Sequence, residues 1–476
     1  MSVNRPCVRL GDYCLKIGSG ATPKGGANVY LTSGDISLIR SQNIYNAGFR
    51  PEGLVYITAD HAEKLSNVAV QVDDILLNIT GDSVARVCLA PQEFLPARVN
   101  QHVAIIRPDP KEFDAKFLRY FLASPTQQNY LLTLASAGAT RNALTKANIE
   151  TLDVYKPSMV IQKWIADQLE SLDKKIRINN RINQTLEQMA QTLFKSWFIE
   201  FEPVKVKIAV LEAGGSQEEA TFAAMTAISG KDAGSLTVFE QVYPEKYAEL
   251  KAAAELFPSA MQDIDLVKIP RGWRLVRLNN IASFASGKVN VSELTKDTYV
   301  STENMLGKKM GIERATSLPS ANTTPSFKSG HILISNIRPY FKKIWLARFS
   351  GGRSADVLAF EHKKNITAEY LYNVLYQDSF FDFMMQTSKG VKMPRGDKKA
   401  IMEWSCIEPT VELTSLFSNK VKEFYSYIES HNRENIQLSK LRDALLPKLL
   451  SGEITLLEAG GVVKKSSETA KEADYV

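Results

Sequence analysis

The sequence predicts an α+β protein in which two repeated mixed α/β domains are separated by two long helices that form an antiparallel coiled coil. Three observations lead to this prediction. Shifting the chain by 252 residues places Gly138 on Gly390 and starts a long self-match. Each half begins with short β-branched segments, and each half ends with an apolar pattern of helical period. At 476 residues the chain is too long for one domain.

The internal repeat determines the domain organisation. The self-match continues without a gap for about sixty positions, as expected for a duplicated unit. Upstream it persists with small shifts, so that DILLNI at 74–79 resembles HILISNI at 331–337. A chance likeness between two amphipathic helices is the alternative. The same order of strand-like and helical segments in both halves favours duplication.

The two mixed domains are predicted at residues 1–157 and 266–410. Short runs such as GDISLIRS and HVAIIRP are rich in β-branched residues and are interrupted by Gly, Pro, Asn and Asp, which is typical of strands and turns. In the first domain two short helices follow at 114–122 and 124–134, with Pro125 at the first helical position of the second.

Two long helices are predicted at 158–202 and 411–454. Apolar residues recur every three or four positions for forty residues, and such a helix would be about 60 Å long. Each could dock on its own domain, but this length favours pairing of the two. Polar residues midway along each stripe, including Asn179, Asn183 and His431, are typical of positions that fix register. We expect an antiparallel pair with the mixed domains at opposite ends of a rod, related by a pseudo-twofold axis.

The remaining segments do not follow the repeat. Residues 203–265 are rich in Ala, Gly and Ser and are predicted to be a linker with some helical content. The charged tail at 455–476 is predicted to be disordered.

Composition excludes several classes of protein. The hydrophobic fraction is 44% and the charged fraction 23%, close to the average for globular proteins. No apolar run reaches the ~18 residues that a membrane span needs, so no membrane partner is expected. Four scattered cysteines do not form a disulfide framework or a zinc motif, which favours a reducing, cytoplasmic location. The net charge of +6 permits nucleic acid as a partner without requiring it.

Motifs for catalysis or metal binding are not found. The glycine-lysine pairs lack the P-loop spacing, and no HExxH is present. The five histidines are dispersed, and His102 lies in an apolar segment where a structural role is favoured. We therefore predict no catalytic residue, no metal site and no cofactor for this chain.

Basic and amide-bearing loops indicate DNA contact instead. Flexible cationic loops suit phosphates, whereas Arg pairs with guanine and Asn or Gln with adenine in the major groove. An ordinary solvated loop is the alternative, and for any single residue it is favoured. The candidates in the first domain are Arg40, Gln42, Asn43, Arg141, Asn142 and Lys146. The candidates in the second domain are Arg338, Lys342, Lys389, Lys392 and Arg395.

Four segments resemble those of a known family, the specificity subunits of type I restriction-modification systems. The segments are FKSWFIEFEPV at 194–204, LFPSAMQD at 256–263, IPRGWRLVRL at 269–278 and LRDALLPKLLSGEI at 441–454. Together with the two-unit layout, the resemblance covers nearly the whole chain.

The resemblance implies a non-catalytic subunit with two target recognition domains, each reading one half of a split site in double-stranded DNA. It also implies two methyltransferase subunits, which use S-adenosylmethionine, and restriction/translocase subunits, which use ATP. The methyltransferase-binding surface would then lie on the long helices, and we expect Trp164, Trp197 and Phe198 to contribute to it. Core packing is the alternative for these aromatic residues, and it is favoured for Trp197.

Other functions stay open at this point. The chain could be the DNA-binding subunit of a methyltransferase-only or bifunctional restriction system, or a protein-binding scaffold. Methyl transfer by the purified chain alone would favour a bifunctional enzyme. An assembled complex without salt-sensitive DNA binding would favour the scaffold.

Overall fold

The computed structural model describes residues 7–137, 142–264 and 267–454. The chain divides into two compact units. One comprises Met1–Asn180 and Asn432–Val476, and the other comprises Arg181–His431. The predicted tail at 455–476 lies outside the described residues.

The first unit is built around two four-stranded sheets. Its strands are β1 (Cys7–Arg9), β2 (Cys14–Ser19), β3 (Ile36–Ile39), β4 (Ile44–Tyr45), β5 (Gly48–Phe49), β6 (Val55–Ile57), β7 (Ala69–Val70), β8 (Ile75–Asn78), β9 (Val87–Leu89), β10 (Ala97–Val99), β11 (Val103–Pro108) and β12 (Asp153–Tyr155). One sheet has the order β2-β11-β8-β9 and the other the order β6-β3-β10-β7, in which β3 and β10 are parallel. β1 pairs with β12, and β4 pairs with β5.

Short helices cover one face of the first sheet. They are α2 (Ala115–Ala123), α3 (Pro125–Ser136) and α4 (Lys146–Glu150), while α1 (Ala59–Lys64) belongs to the other sheet. The Asp114 and Ser124 side chains cap α2 and α3 by accepting hydrogen bonds from backbone N–H groups. Within β8, Ile75 and Leu77 pack toward the helices whereas Leu76 packs toward the second sheet. Because side chains alternate along a strand, the central sheet is buried on both faces.

The second unit repeats this arrangement. Its strands are β13 (Met261–Ile264), β14 (Val267–Pro270), β15 (Arg274–Arg277), β16 (Ala282–Phe284), β17 (Lys288–Asn290), β18 (Tyr299–Val300), β19 (Thr323–Phe327), β20 (Ile332–Ser335), β21 (Ile344–Leu346), β22 (Gly351–Arg353), β23 (Val357–His362) and β24 (Ser405–Glu408). The sheets have the orders β16-β23-β20-β21 and β17-β19-β22-β18, and β18 is parallel to β22. These features match β2-β11-β8-β9 and the parallel pair of β3 with β10, so the predicted repeat is confirmed.

Two helices of equal length follow the mixed domains. α5 (Met159–Phe198) and α14 (Val411–Leu450) each contain 40 residues and begin 252 positions apart. In the first unit Asp173 of α5 bonds to Arg442 of α14, whereas Asn179, further along α5, bonds to Glu434, earlier in α14. Ascending positions on one helix meet descending positions on the other, which confirms the predicted antiparallel pairing.

The same antiparallel order holds within the second unit. Asn183 lies 2.9 Å from a ring nitrogen of His431, and the rings of Phe194 and Phe417 pack 5.7 Å apart. The polar residues midway along the stripes therefore bond to one another, as the sequence predicts.

The segment that the sequence predicts as a linker contains four helices. They are α6 (Glu202–Glu212), α7 (Gln217–Ser229), α8 (Ala233–Val242) and α9 (Pro244–Glu255). Ser216 and Asp232 cap α7 and α8, and a small core forms from Ala224, Met225 and Leu236. Because alanine supplies much of the apolar surface in α7 and α9, the segment resembles a linker in composition.

The mixed domain of the second unit is completed by α10 (Leu278–Ile281), α11 (Ala368–Tyr376), α12 (Asp378–Gln386) and α13 (Lys398–Met402).

Candidate nucleic-acid interface

A turn after β3 places the first group of candidate residues. Asn43 is fully buried, and its Oδ1 accepts a hydrogen bond from the Arg40 backbone N–H at 3.1 Å. Its Nδ2 donates to the carbonyl oxygens of Arg50 at 2.9 Å and Glu52 at 3.2 Å. These hydrogen bonds occupy the side-chain amide of Asn43 and hold the turn against residues 50–52. The structure therefore corrects the prediction that Asn43 reads a base.

The exposed neighbour of Asn43 lies at a cleft. The cleft has a volume of about 420 Å³ and is lined by Ser41, Gln42, Tyr45, Thr80, Gly81, Asp82, Ser83, Arg86 and His102. The Gln42 amide donates a hydrogen bond to the Gly53 carbonyl at 3.0 Å. Arg40 donates to the same carbonyl at 2.6 Å, and its guanidinium carbon lies 5.5 Å from the centre of the Tyr30 ring. Arg40 thus supports the turn from outside the cleft, whereas Gln42 lines it.

Two arginines that the sequence reasoning missed stack on one aromatic ring. The guanidinium of Arg50 lies 4.0 Å and that of Arg86 4.6 Å from the centre of the Tyr45 ring. Neither arginine forms an ion pair with any residue that the structure describes. A guanidinium held on a ring keeps its N–H donors in place for another partner. Arg86 is a single basic residue between apolar ones, so no charge cluster marked it in the sequence.

The other candidates of the first unit lie on the loop before α4. The Asn142 carbonyl accepts a hydrogen bond from the Gly81 N–H at 3.3 Å, which places this exposed residue next to the cleft. Lys146 begins α4, and its ammonium lies 3.3 Å from Glu150. Lys146 is not one of the residues that line the cleft. Arg141 lies outside the described residues.

The second unit contains the same kind of turn after β18. Asn304 is buried, and its Oδ1 accepts from the Ser301 N–H at 2.6 Å. Its Nδ2 donates to the carbonyls of Tyr299 at 3.0 Å and Glu313 at 2.8 Å. Asn304 therefore takes the role that Asn43 has in the first unit, and Glu303 takes the position of Gln42.

A second cleft adjoins this turn. Its volume is about 230 Å³, and its lining includes Thr302, Glu303, Ser354 and Asp356. In both units the cleft lies between the turn that follows one strand of the parallel pair and the loop that follows the other strand. These loops are 100–102 after β10 and 354–356 after β22. The two clefts thus share these two walls, whereas residues 80–86 complete the first and residues 316–319 complete the second.

A basic hairpin lies beside the second cleft. The backbone groups of Lys389 and Arg395 exchange two hydrogen bonds of 2.9 Å, which leaves Lys392 exposed near the tip. Lys389 is bound to Asp397 at 2.6 Å, and Arg395 lies 3.3 Å from Asp356 in the cleft lining. Lys392 forms no ion pair with the described part of the chain, so it is the cation of this hairpin that is left free.

The remaining two candidates are in the loop after β20. The Arg338 N–H donates to the Pro394 carbonyl at 2.8 Å, which joins this loop to the hairpin. Lys342 lies 3.0 Å from Asp378, which also binds Lys309 at 2.6 Å. The hydrogen bond from Lys309 is the main cause that lowers the pKa of Asp378. Lys342 is therefore partly neutralised, and Arg338 is partly buried.

The aromatic candidates for partner binding are placed differently from the prediction. Trp197 and Phe198 are buried in the core of the second unit, where Trp197 packs on Phe257 and Phe198 packs on Tyr370. For Phe198 this burial corrects the expected place on a partner-binding surface. For Trp197 it also removes that place and agrees with core packing, the alternative that the sequence favours. Trp164 is partly buried against the core of the first unit.

The described residues offer no metal centre and no membrane segment. Within 7–137, 142–264 and 267–454, no three His, Cys, Asp or Glu side chains are grouped to hold a metal ion. Among the helices of these ranges, none is long and apolar enough to cross a membrane.

The chain is similar to several known proteins. A family model described as a type I restriction modification DNA specificity domain matches residues 7–188. The HindI specificity subunit of Haemophilus influenzae is 28% identical over 81% of this chain and 87% of its own length. The MjaIX specificity subunit of Methanocaldococcus jannaschii is 22% identical over 93% of this chain and 92% of its own. A crystal structure of the S subunit from M. genitalium covers 94% of this chain and 96% of its own, with 15% identity and a TM-score of 0.48.

Proposed function

The chain belongs to the specificity subunits of type I restriction-modification systems, and we propose that each of its two units reads one half of a split site in double-stranded DNA. In this role it selects the sequence and does not itself catalyse a reaction. The observation that carries the proposal is the pair of clefts at the two corresponding turns, each lined by polar side chains with cations nearby.

The cations around the clefts suit the two kinds of DNA contact. Arg50, Arg86 and Lys392 are free of ion pairs within the described residues, so they can meet phosphates without first losing a carboxylate partner. Gln42 and Glu303 line the clefts, and Asn142 lies next to the first one. Their side chains present hydrogen-bonding groups of the kind that read base edges. Of the predicted DNA-binding residues, Arg40, Lys146, Arg338, Lys342, Lys389 and Arg395 remain candidates for phosphate or supporting contacts.

The chemistry belongs to other subunits in this proposal. Two methyltransferase subunits would supply adenine methylation with S-adenosylmethionine, and restriction/translocase subunits would use ATP, so this chain needs no cofactor. We expect the complex to act in the cytoplasm. The partner-binding surface is proposed on the exposed residues of α5 and α14, near the partly buried Trp164.

Methylation mapping tests the proposal. The full chain is co-expressed with its methyltransferase subunits in a host without other methylation, and modified adenines are mapped across the genome. We expect one motif of two specific halves separated by a gap of constant length. Methylation at unsplit motifs would overturn the proposal, as would methyl transfer by the purified chain alone. An assembled complex that shows no salt-sensitive binding to DNA would point instead to a scaffold.

A further inference from the structure

The clefts at the two corresponding turns differ in their hydrogen-bonding chemistry. The first contains the donors Gln42 and Arg86 together with His102, and one exposed carboxylate, Asp82. The second contains two carboxylates, Glu303 and Asp356, and no arginine or lysine among its lining residues. The turns correspond between the units, so Glu303 stands where Gln42 stands in the first unit. The rest of the lining differs, because residues 80–86 line the first cleft and residues 316–319 line the second.

Glu303 is the carboxylate that remains available. Asp356 is already paired with Arg395 at 3.3 Å. Glu303 is exposed and forms no ion pair with the described residues, and its backbone N–H is held by the Ser301 hydroxyl at 3.3 Å. The Oγ of Ser354, in the same lining, is buried and has no hydrogen-bond partner within the described chain.

A free carboxylate is unfavourable next to a phosphate backbone, because like charges repel. It is favourable against a base that presents only a donor. In the major groove, cytosine offers the N4 amino group as a donor, whereas guanine offers two acceptors and the adenine amino group has the N7 acceptor beside it. The position of Glu303 beside Asn304 thus suits cytosine better than any other base.

We propose that Glu303 is a specificity-determining residue, which accepts a hydrogen bond from the N4 amino group of a cytosine in the half-site read by the second unit. This inference rests on the proposed function. The buried amide of Asn304 holds the turn, and the adjacent carboxylate reads the base.

The test compares Glu303→Gln and Glu303→Ala with the wild-type chain in the complex with methyltransferase subunits. Each complex methylates a DNA library in which the wild-type motif is randomised one base pair at a time. A good side-chain pair contributes about 1–3 kcal/mol of discrimination, so preference for one C·G pair is expected to fall roughly 5- to 150-fold in both variants. Glu303→Gln is further expected to accept adenine at that position, since Gln both donates and accepts.

Two controls distinguish a loss of base reading by Glu303 from a general effect of the substitution on the unit or on the complex. Glu361→Gln removes an exposed carboxylate of the same unit at the other end of β23, about 17 Å along the strand from Asp356, and it is expected to leave the motif unchanged. The other half-site, read by the same molecules, reports whether the variant is folded and assembled. An unchanged motif with both Glu303 variants would overturn the inference while the split wild-type motif still supports the proposed function. A wild-type second half-site without a C·G pair would overturn it as well.

Discussion

The carboxylate of Asp173 on α5 bonds to the guanidinium of Arg442 on α14 at 2.8 Å. The same carboxylate accepts a hydrogen bond from the Tyr120 hydroxyl at 2.7 Å and lies 3.4 Å from Arg119 on α2. Burial by itself would raise the pKa of Asp173, but the hydrogen bonds from Tyr120 and Arg442 outweigh it and hold the pKa below the ordinary value. One buried carboxylate thus joins both long helices to the mixed domain of the first unit.

Replacing Asp173 by Asn is expected to destabilise the first unit by about 3 kcal/mol, because it leaves the buried guanidinium of Arg119 without its counter-charge. Urea unfolding of the full chain at pH 7 measures the loss. Asp443→Asn is the matched control, since Asp443 bonds to the same Arg442 at 2.8 Å but is exposed. We expect the control to cost less than 1 kcal/mol. Equal effects of the two variants would show that burial of Asp173 does not matter.

The lowered pKa of Asp173 also predicts how the stability of the first unit changes with pH. Its stabilising contribution is present above the pKa of the unfolded state, about 3.9, and is lost as the pH falls through the lower folded value. Wild type is therefore expected to lose stability below pH ~4 more steeply than Asp173→Asn.

Glu187 of the second unit is expected to change stability with pH in the opposite direction. Burial raises its pKa from 4.5 to about 7, although Gln191, Arg348, Tyr372 and Lys309 each act to lower it. The neighbouring hydroxyls of Tyr376 and Tyr425 face the same group. Because the folded state favours the protonated acid, its stability is expected to fall as the pH rises from about 4.5 to about 7, and the loss is complete above that range.

Glu187→Gln tests this expectation. The variant is expected to exceed wild type by on the order of 2 kcal/mol at pH 8 and to match it near pH 5. Thermal unfolding of the full chain across this range measures the difference, with the exposed Glu423→Gln as control. A wild-type stability that does not change between pH 5 and pH 8 would contradict the prediction.

The buried amides of the two turns are expected to act on stability and not on base choice. Asn43→Ala and Asn304→Ala each leave one N–H and two carbonyl groups without their partner, at a cost of about 2–3 kcal/mol. Hydrogen exchange in residues 40–52 and 301–313 is expected to quicken. Gln42→Ala removes an exposed side chain and should stay within about 0.5 kcal/mol of wild type. A stable Asn43→Ala variant with an altered motif would restore Asn43 as a reader.

Lys392 is expected to contact a phosphate. In the assembled complex, Lys392→Ala should reduce the slope of log K against log salt by about 0.9 without changing the methylated motif. Lys364→Ala removes an exposed lysine of the same unit beyond β23 and serves as control. An unchanged slope would remove the hairpin tip from the interface.

Periodicity and burial explain which parts of the structure could be predicted from the sequence. The apolar stripe of α5 and α14 recurs with the helical period over forty residues, so helix type, length and pairing follow from local pattern. The role of Asn43 does not follow, because an asparagine in a turn can face either solvent or the chain. Asn43 faces the chain because its amide donates to the carbonyls of Arg50 and Glu52. These carbonyls come near Asn43 only when the following residues fold back against the turn.

The four helices at 202–255 show another limit of sequence pattern. Their core uses small residues such as Ala220, Ala224 and Ala254, which also abound in flexible linkers. The capping pair of Ser216 with Glu219 was the local signal of a helix start there. Arg86 left no such signal, since its place on Tyr45 depends on two hairpins meeting.

In the turns after β3 and β18, adjacent residues have different tasks: one stabilises the turn, and the residue before it is the proposed reader of a base. The side chains of Asn43 and Asn304 form the hydrogen bonds that the turn backbone needs. The preceding residues, Gln42 and Glu303, therefore contribute little to the free energy of folding. Under the proposed function, a change of side chain at 42 or 303 is expected to alter the preferred base without unfolding the turn. We therefore expect new target sequences to arise by single substitutions at these positions, and a library randomised at 42 and 303 alone would be a compact way to look for them.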